Sequence, residues 1–463
     1  MTSLILTYLV WALVSYVFWP WLRRAGLRAF PAWAAARTLS LSFAGIILLH
    51  ILRWTGLEWS RYLYVIFILS GVCAGWAASI KLPGPRRKEM AAIFRFEASL
   101  ACLAVILTVF SGFHYGMTAL GERPMDMGLV TSLHSTRGMP PEDFWFAGKP
   151  LNTYYLGSWS LAAAARAAGA RPWQAYFSGI VITWLQVFSS CTLAWRMLHV
   201  RGRWSHAFPF ALIMMGHGGL FLLFVRGINP FGERGFLLLS RIIPHTINEN
   251  PATALWVSEL HAHIMALPIF IALILLWREA LRSCRAGTCL ASGSAAAVLA
   301  MTDAWLVPPA ALATMMIAAL HFRRDIMALI KPICLALAAA LVTDAAWLAD
   351  ARGYPLRLLL VEQSATTAAH IVALFGPLLV VFSASGAGRW KSGTGKTGLA
   401  LLVTGVILIA LCEIVYVDNR FPPPGERQNT VFRFHWAAWA MLGLGICGLR
   451  PPRLKAWRNA AAW

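Results

Sequence analysis

Charged residues are scarce in this chain. They make up 13% of its 463 residues, and only 19 residues are Asp or Glu. Hydrophobic residues reach 59% and the mean hydropathy is +0.64, so the composition excludes an ordinary soluble globular protein and a disordered chain. The apolar runs are continuous and long enough to cross a bilayer, which indicates a polytopic helical membrane protein rather than a β-barrel.

Several common site motifs are also missing. The chain has no GxGxxG motif and no Walker loop, since the segment 392–396 (Ser-Gly-Thr-Gly-Lys) lacks the Walker spacing. Its eight cysteines lie in predicted spans or around Cys284 and Cys289, with no CxxC pair among them. No disulfide framework is therefore expected. No internal repeat is visible.

The apolar runs predict one all-α integral-membrane domain over 1–463 with about 13 transmembrane helices. It would consist of N-terminal helices (1–111), a first large external loop (112–172) and a further helical bundle (173–463). The external loops are expected to carry short interfacial helices. The predicted spans are 3–22, 36–52, 62–80, 91–111, 173–196, 206–226, 260–277, 288–303, 305–321, 326–349, 366–386, 397–417 and 431–449.

The basic residues predict the orientation. With thirteen spans, every Lys/Arg cluster falls on one side, which the positive-inside rule makes cytoplasmic. The N-terminus is then external and the C-terminus cytoplasmic. The formal charge of +21 is explained by these loops and by contact with anionic membrane lipids, so no nucleic-acid partner is expected. The clusters lie at 23–37, 81–88, 196–203, 278–285, 323–324, 389–396 and 450–458.

The acidic residues fall mostly on the opposite side. Only Glu89, Glu97, Glu279 and Asp325 lie in regions predicted to be cytoplasmic. Acids contribute little to the orientation of insertion, so this asymmetry needs another cause. Either acids avoid the basic loops, or the outer face has a site that handles a cation or a proton.

The first large external loop is unusually polar for this chain. Residues 113–155 contain four carboxylates and two histidines. Glu122 and Asp126 are four residues apart, and Pro124 between them favours a turn. Paired carboxylates can provide a general base or hold a divalent cation; a solvated loop paired with neighbouring arginines is the alternative. The short Ala-rich segment 156–169 is expected to form an interfacial or re-entrant helix.

Two later external loops carry further candidates. Glu259, His261 and His263 alternate along the chain, which suits an extended turn, because a helix would place His261 opposite the other two. They are candidate metal ligands, with structural hydrogen bonding as the alternative. In the last external loop, Arg427 and Arg433 can bind a phosphate through forked donors or anchor the chain at the interface.

These loop motifs resemble the YYY-motif membrane protein family (Chlor_Arch_YYY), which is grouped with the GT-C glycosyltransferases. Compared with the family pattern, Arg123 replaces a Lys, Thr153 replaces the first Tyr, and Glu259 and Ala262 replace Asp and Pro. The matching pieces, in the family's order, are Gly121-Glu-Arg-Pro-Met-Asp126, Trp145-Phe-Ala-Gly148, Asn152-Thr-Tyr-Tyr155 with Gly157, Thr246-Ile-Asn-Glu-Asn-Pro251, Glu259-Leu-His-Ala-His263 and Asn429-Thr-Val-Phe-Arg433.

The resemblance implies a GT-C-like fold and an integral-membrane glycosyltransferase that uses a polyprenyl-phosphate-linked sugar donor on the external face. Its acceptor is not implied. Asp126 is the expected catalytic base, with Glu122 next, and Glu259, His261 and His263 would bind a divalent metal such as Mg²⁺ or Mn²⁺. The expected substrate-binding residues are Asn152, Tyr154, Tyr155, Asn248, Glu249, Arg427, Asn429 and Arg433.

Two other functions fit the composition. A transporter or flippase of an amphipathic lipid would need charges along a path through the membrane and usually shows repeats. A non-catalytic membrane scaffold would need no convergence of the outer loops. The placement of the polar loop residues distinguishes the three.

Overall fold

A computed structural model describes residues 2–113, 122–198, 207–229, 235, 238–321, 327–349, 357–385, 392–418 and 421–449. The described residues are mostly helical, with only two short strands, which confirms the predicted all-α membrane class. In lipid, a continuous apolar segment must satisfy its own backbone N–H and C=O groups, and a helix does so within one segment. The basic residues at 201–203, 323–324, 389–391 and 450–458 and the loop residues 114–121 lie outside the described residues.

The structure describes seventeen α-helices. They are α1 (Thr2–Arg24), α2 (Ala29–Thr55), α3 (Arg61–Ser79), α4 (Arg87–Phe113), α5 (Arg123–Ser135), α6 (Leu156–Ala167), α7 (Pro172–Met197), α8 (Phe208–Ile213), α9 (Gly219–Val225), α10 (Pro251–Val257), α11 (Ala262–Ser283), α12 (Ala286–Thr302), α13 (Val307–His321), α14 (Met327–Leu348), α15 (Ala368–Ser385), α16 (Gly393–Leu411) and α17 (Gln428–Leu449). A 3₁₀ turn, Ala304–Leu306, precedes α13.

Contacts within the chain group it into two compact units. Unit 1 comprises Met1–Leu193, Ser258–Val307 and Asp325–Gly353, and unit 2 comprises Ala194–Val257, Pro308–Arg324 and Tyr354–Trp463. Each unit gathers segments that are distant in the sequence. The composition gives no sign of this division, because apolar helices run through both units.

Nine helices of the described residues are long and apolar enough to cross a membrane: α1, α2, α3, α4, α7, α11, α13 with its preceding turn, α14 and α16. The predicted total of thirteen is not confirmed. The prediction of one continuous span at 206–226 is wrong, because α8 ends at Ile213 and α9 begins at Gly219. Gly218 lies in this break, where an added Cβ would come within 2.9 Å of the Ala373 carbonyl oxygen.

Helix α6 is the short Ala-rich segment after the first large loop. All of its residues except Arg166 are buried, and it contacts α1, α2 and α3 within unit 1. The indole Nε1 of Trp159 donates to the Gly45 carbonyl at 3.0 Å. A helix of 12 residues is too short to cross a bilayer, and burial in protein supplies the surroundings that such a helix needs at membrane depth.

Helices α1, α2 and α4 enclose a buried ion pair. Arg37 is fully buried, and its Nη2 and Nε donate to the two Glu97 carboxylate oxygens at 2.9 Å and 3.1 Å. Tyr8 and Trp33 also donate to Glu97, at 3.0 Å and 2.7 Å. The guanidinium carbon lies 3.8 Å from the ring centre of Trp11. Charges inside membrane helices are expensive unless paired, so this arrangement stabilises the contact of the three helices.

Helices α16 and α17 pack closely against each other in unit 2. An added Cβ at Gly398 would lie 2.7 Å from the Gly445 carbonyl oxygen, so the contact requires glycine there. Two short antiparallel strands, β1 (Arg357–Leu360) and β2 (Val415–Asp418), pair outside the helices with Arg357 opposite Asp418.

Candidate functional site

Helix α5 carries the two carboxylates that the sequence analysis selects. It begins at Arg123, with Pro124 in its first turn. The expected turn at this position is wrong, because proline is favourable in the first helical turn, where its missing N–H has no helical partner to lose. The Asp126 N–H donates to the Glu122 carbonyl at 3.0 Å. The two carboxylates therefore lie one turn apart on the same side of α5.

The segment before α11 brings the candidate histidine to these carboxylates. Ser258 has a positive φ of 56°, and His261 is extended immediately before the helix begins at Ala262. The predicted extended turn is confirmed as far as His261, whereas His263 lies in the first turn of α11. Glu259 is 8% exposed, His263 is 1% exposed, and the rings of His261 and His263 lie 5.1 Å apart.

His261 lies between the two carboxylates. Its Nδ1 is 3.1 Å from Asp126 Oδ1 and 3.1 Å from Glu122 Oε2. Both contacts require a proton on Nδ1, so Nε2 is the acceptor nitrogen whenever the ring is neutral. The Asp126 side chain is 5% exposed and that of Glu122 is 61% exposed. One carboxylate is therefore buried, and the other faces solvent.

Two further buried groups complete this cluster of unit 1. Tyr176 of α7 is 2% exposed, and its hydroxyl lies within electrostatic range of Asp126, Arg123 and Glu259. Arg123 is 8% exposed and follows Glu122 directly. We refer to Glu122, Arg123, Asp126, Tyr176, Glu259, His261 and His263 as the carboxylate–histidine cluster. It brings carboxylates, histidines, a tyrosine and an arginine from distant parts of the sequence into one cluster, and such groups can transfer protons.

The metal-binding role of Glu259, His261 and His263 stays a prediction. Among the described residues, no group of three or more His, Cys, Asp or Glu side chains is placed to hold a metal ion. His261 uses Nδ1 for the carboxylates of Asp126 and Glu122. Glu259, His261 and His263 are neighbours, but they do not form a ligand set.

The structure places Arg427, a predicted phosphate ligand, in an ion pair of unit 2. Its Nη1 donates to Glu413 Oε2 at 2.8 Å, and its Nη2 donates to Thr366 Oγ1 at 2.6 Å. Burial alone would raise the Glu413 pKa. Hydrogen bonds from Ser364 and Arg427 outweigh this effect and hold the pKa of the carboxyl below its ordinary value. A guanidinium already neutralised by a carboxylate is a weakened phosphate ligand.

The other predicted residues of unit 2 lie in α17 and in the segment before α10. Arg433 is 6% exposed, with its guanidinium carbon 4.7 Å from the Phe432 ring centre, and Asn429 lies half-buried in the first turn of α17. Asn248 shapes a turn, since its Oδ1 accepts from the Ile243 N–H at 2.7 Å. Glu249 lines a small cavity within unit 2 together with His217, Asn248, Asn250, Leu374, Phe375, His435 and Trp439.

The remaining predicted residues lead into α6. Tyr155 is 3% exposed at the residue before the helix, while Asn152 and Tyr154 are half-buried. In unit 1 the structure therefore brings together Glu122, Asp126, Glu259, His261 and His263. Arg427 is held within unit 2 by Glu413.

A family model described as "Uncharacterized membrane protein (DUF2298)" matches residues 29–349 and 333–442. The chain belongs to this family. The match includes the carboxylate–histidine cluster and α17 as far as residue 442, and it establishes an integral membrane protein together with the apolar helices. No curated protein and no solved structure matches the chain.

Membership of DUF2298 establishes the membrane class and leaves the orientation of the termini a prediction.

Sequence reasoning missed two residues: Tyr176, which joins the carboxylate–histidine cluster, and His435, which lines the small cavity of unit 2. Both lie in helices that the sequence predicts as spans, α7 and α17, among several other polar residues. The only sequence signal for either is a polar side chain within a span, which usually marks function.

Proposed function

We propose that this protein is an integral-membrane glycosyltransferase of the GT-C type, which uses a polyprenyl-phosphate-linked sugar on the outer face of the membrane. The observation that supports it is the contact of Asp126 Oδ1 with His261 Nδ1 at 3.1 Å. It joins two motifs, Glu-Arg-Pro-Met-Asp and Glu-Leu-His-Ala-His, that are 135 residues apart at these positions. Motifs that meet in one cluster are better explained by a shared site than by separate loops.

Asp126 is the general base in this proposal. It accepts the proton of the acceptor hydroxyl while that oxygen attacks the anomeric carbon of the sugar. The bond between this carbon and the phosphate oxygen breaks, and its electrons leave with the polyprenyl phosphate. Asp126 suits this role better than Glu122, because its side chain is 5% exposed and that of Glu122 is 61% exposed. A buried base that is held in place transfers protons more effectively than a mobile one in water.

His261 orients Asp126 in this mechanism. Its Nδ1–H contacts the carboxylate, which fixes the direction of the remaining lone pairs. Glu122 binds the same nitrogen from the solvent side and supports the ring. Asp126, His261 and Glu122 are the side chains that act in this mechanism.

The test uses the full chain in lipid nanodiscs, supplied with a radiolabelled polyprenyl-phosphate sugar and a membrane extract as the source of acceptor. The wild-type protein should release polyprenyl phosphate. Asp126→Asn should lower this rate by roughly a hundredfold or more, as loss of a positioned base does. Glu122→Gln should cost less.

Glu58→Gln is the matched control, because Glu58 is an exposed carboxylate of the connection between α2 and α3. It should keep the wild-type rate. Melting temperatures of all variants establish that they fold. Equal donor turnover in the wild type and in Asp126→Asn would refute the assignment of the base, and no turnover with any polyprenyl-phosphate sugar would refute the glycosyltransferase.

A further inference from the structure

Residues 142–150 form a short hairpin with three consecutive aromatic residues at its turn. A bridge between Glu142 and Pro150 closes it, and the Asp143 N–H donates to the Lys149 carbonyl at 2.9 Å. Asp143 Oδ1 accepts from the backbone N–H groups of Trp145 and Phe146 at 2.8 Å and 3.1 Å. These bonds fix the backbone, so the direction of its aromatic side chains is set by the fold.

The three aromatic residues differ in what surrounds them, although the rings of Phe144 and Trp145 lie 5.2 Å apart. The Phe144 ring packs on α5, where a Cβ added at Gly128 would come within 2.7 Å of it. Trp145 and Phe146, which we call the aromatic tip, are 72% and 64% exposed. Two large apolar side chains held side by side in water have a free-energy cost that burial in another phase would remove.

Hydrogen bonds hold the chain just before the hairpin beside the connection where α2 ends and α3 begins. The Trp59 N–H, in the connection between α2 and α3, donates to the Arg137 carbonyl at 2.5 Å. Arg166 donates to the carbonyls of His134 and Thr136 at 3.0 Å and 2.8 Å, and its guanidinium lies 4.2 Å from the Trp59 ring centre. The chain just before the hairpin therefore lies at this end of α2 and α3.

The same helix ends carry other exposed aromatic residues. Trp54, at the end of α2, is 60% exposed, and Tyr62, at the start of α3, is 79% exposed. Trp and Tyr concentrate where spanning helices meet the lipid headgroups, because their rings accept an apolar and a polar environment together. Lys149 of the hairpin is exposed and supplies a cation for lipid phosphates.

We propose that the aromatic tip is a membrane-interface anchor that inserts into the headgroup layer of the bilayer. Its occupant is the lipid surface itself. Because Phe144 packs against Gly128, two residues after Asp126, the anchor holds α5 and its carboxylates at the bilayer surface. This inference rests on the hairpin contacts and holds whether or not the proposed glycosyltransferase reaction is correct.

The test measures where residues 145 and 146 lie in a bilayer. The full chain carries a nitroxide label at Trp145→Cys or Phe146→Cys in nanodiscs of phosphatidylcholine and phosphatidylglycerol, with the exposed cysteines Cys73, Cys102, Cys284 and Cys334 replaced by serine. Collisions of each label with oxygen, which dissolves in lipid, are compared with collisions with a nickel chelate, which stays in water.

Both tip labels should favour oxygen over nickel. Gly138→Cys is the control, since a side chain there meets no atom within 4 Å, and its label should collide more with nickel. Tip labels that favour nickel as strongly as residue 138 would place the tip in water and overturn the proposal. Tip labels shielded from both reagents would show that protein covers the tip, which also overturns it.

A second measurement tests whether the aromatic tip restrains α5. Trp145→Ser combined with Phe146→Ser leaves the contact between the half-buried Phe144 and α5 in place and should fold. A label at the exposed Ser135, at the end of α5, should become more mobile in this variant if the anchor restrains the helix. Unchanged mobility would remove the positioning role from the proposal.

Discussion

Arg427 and Glu413 form an ion pair in which the guanidinium also donates to the Cys412 carbonyl at 3.0 Å. The arginine is 6% exposed in its side chain and the glutamate 27%. This relationship ties the start of α17 to the end of α16. These contacts account for the burial of Arg427 by a structural role, and its role in phosphate binding stays a prediction.

Replacing Arg427 by lysine should destabilise unit 2. Lysine keeps the charge but cannot donate to Glu413, Thr366 and the Cys412 carbonyl in one plane. We expect a loss of roughly 1–3 kcal/mol, the usual cost of unsatisfied buried hydrogen-bonding groups. Thermal unfolding in nanodiscs measures it. Arg226→Lys, at an exposed arginine of the same unit, should leave the melting temperature unchanged, and equal melting of both variants would contradict the expectation.

Acid should weaken the same ion pair. The Glu413 pKa is lower in the folded protein than the ordinary value of 4.5. The stability that it provides is therefore present above pH 4.5 and is lost as the pH falls through the folded value. Melting temperatures between pH 3 and pH 7 should show this loss in the wild type and a smaller one in Glu413→Gln. Parallel curves would show that other groups carry the acid sensitivity.

His134 gives α5 a separate pH dependence. Burial is the main cause that lowers its pKa, and Arg166 adds to the effect, while the hydrogen bond from Nε2 to the Ala170 carbonyl at 2.9 Å acts against it. The unfolded chain then binds a proton more readily, so stability falls as the pH drops below 6.5. Hydrogen exchange of α5 should quicken from pH 7.5 to pH 5.5, after correction for intrinsic rates. His134→Gln should remove most of this change.

Asp126 and His261 should behave as one functional unit. If His261 acts by orienting Asp126, removing either partner removes the same effect. The double variant Asp126→Asn with His261→Gln should therefore be about as slow as Asp126→Asn alone. The donor-turnover assay measures this. If the rate of the double variant instead falls by the product of the two single losses, His261 acts independently of Asp126.

Gly398 should tolerate no side chain. Alanine there would press its Cβ to 2.7 Å from the Gly445 carbonyl oxygen, whereas at Gly376 of α15 the nearest atom is 3.7 Å away. Alanine favours a helix by roughly 0.5–1 kcal/mol over glycine. Gly376→Ala should thus melt at or above the wild-type temperature and Gly398→Ala below it, by roughly 1–3 kcal/mol of overpacking. Equal melting of the two variants would mean that α16 and α17 adjust freely.

The sequence predicted those parts of the fold that depend on apolar length. The run at 36–52 became α2 and the run at 91–111 became part of α4. It failed at 206–226, where Gly216 and Gly218 lie in the break between α8 and α9. Hydropathy does not register a break of the backbone within an apolar run.

The residues of the candidate site were predictable where several polar residues occur together in one short motif. Glu122, Asp126 and His261 were recognised from loops, yet their contact joins positions that are 135 residues apart for Asp126 and His261. Tyr176 reaches the cluster from α7, whose sequence reads as an apolar span. Which face of a spanning helix meets a site depends on packing between helices, and periodicity in one sequence does not record it.

The buried pair of Arg37 and Glu97 has a consequence for biogenesis. The two charges lie 60 residues apart, in α2 and α4, so the arginine leaves the ribosome well before its partner. A lone charge costs about 2.5–3.5 kcal/mol on insertion at the centre of a helix and less towards its ends, and Arg37 lies in the first third of α2. Helix α2 therefore gains its full stability in the lipid only when α4 arrives, which makes completion of the N-terminal bundle dependent on the order of synthesis.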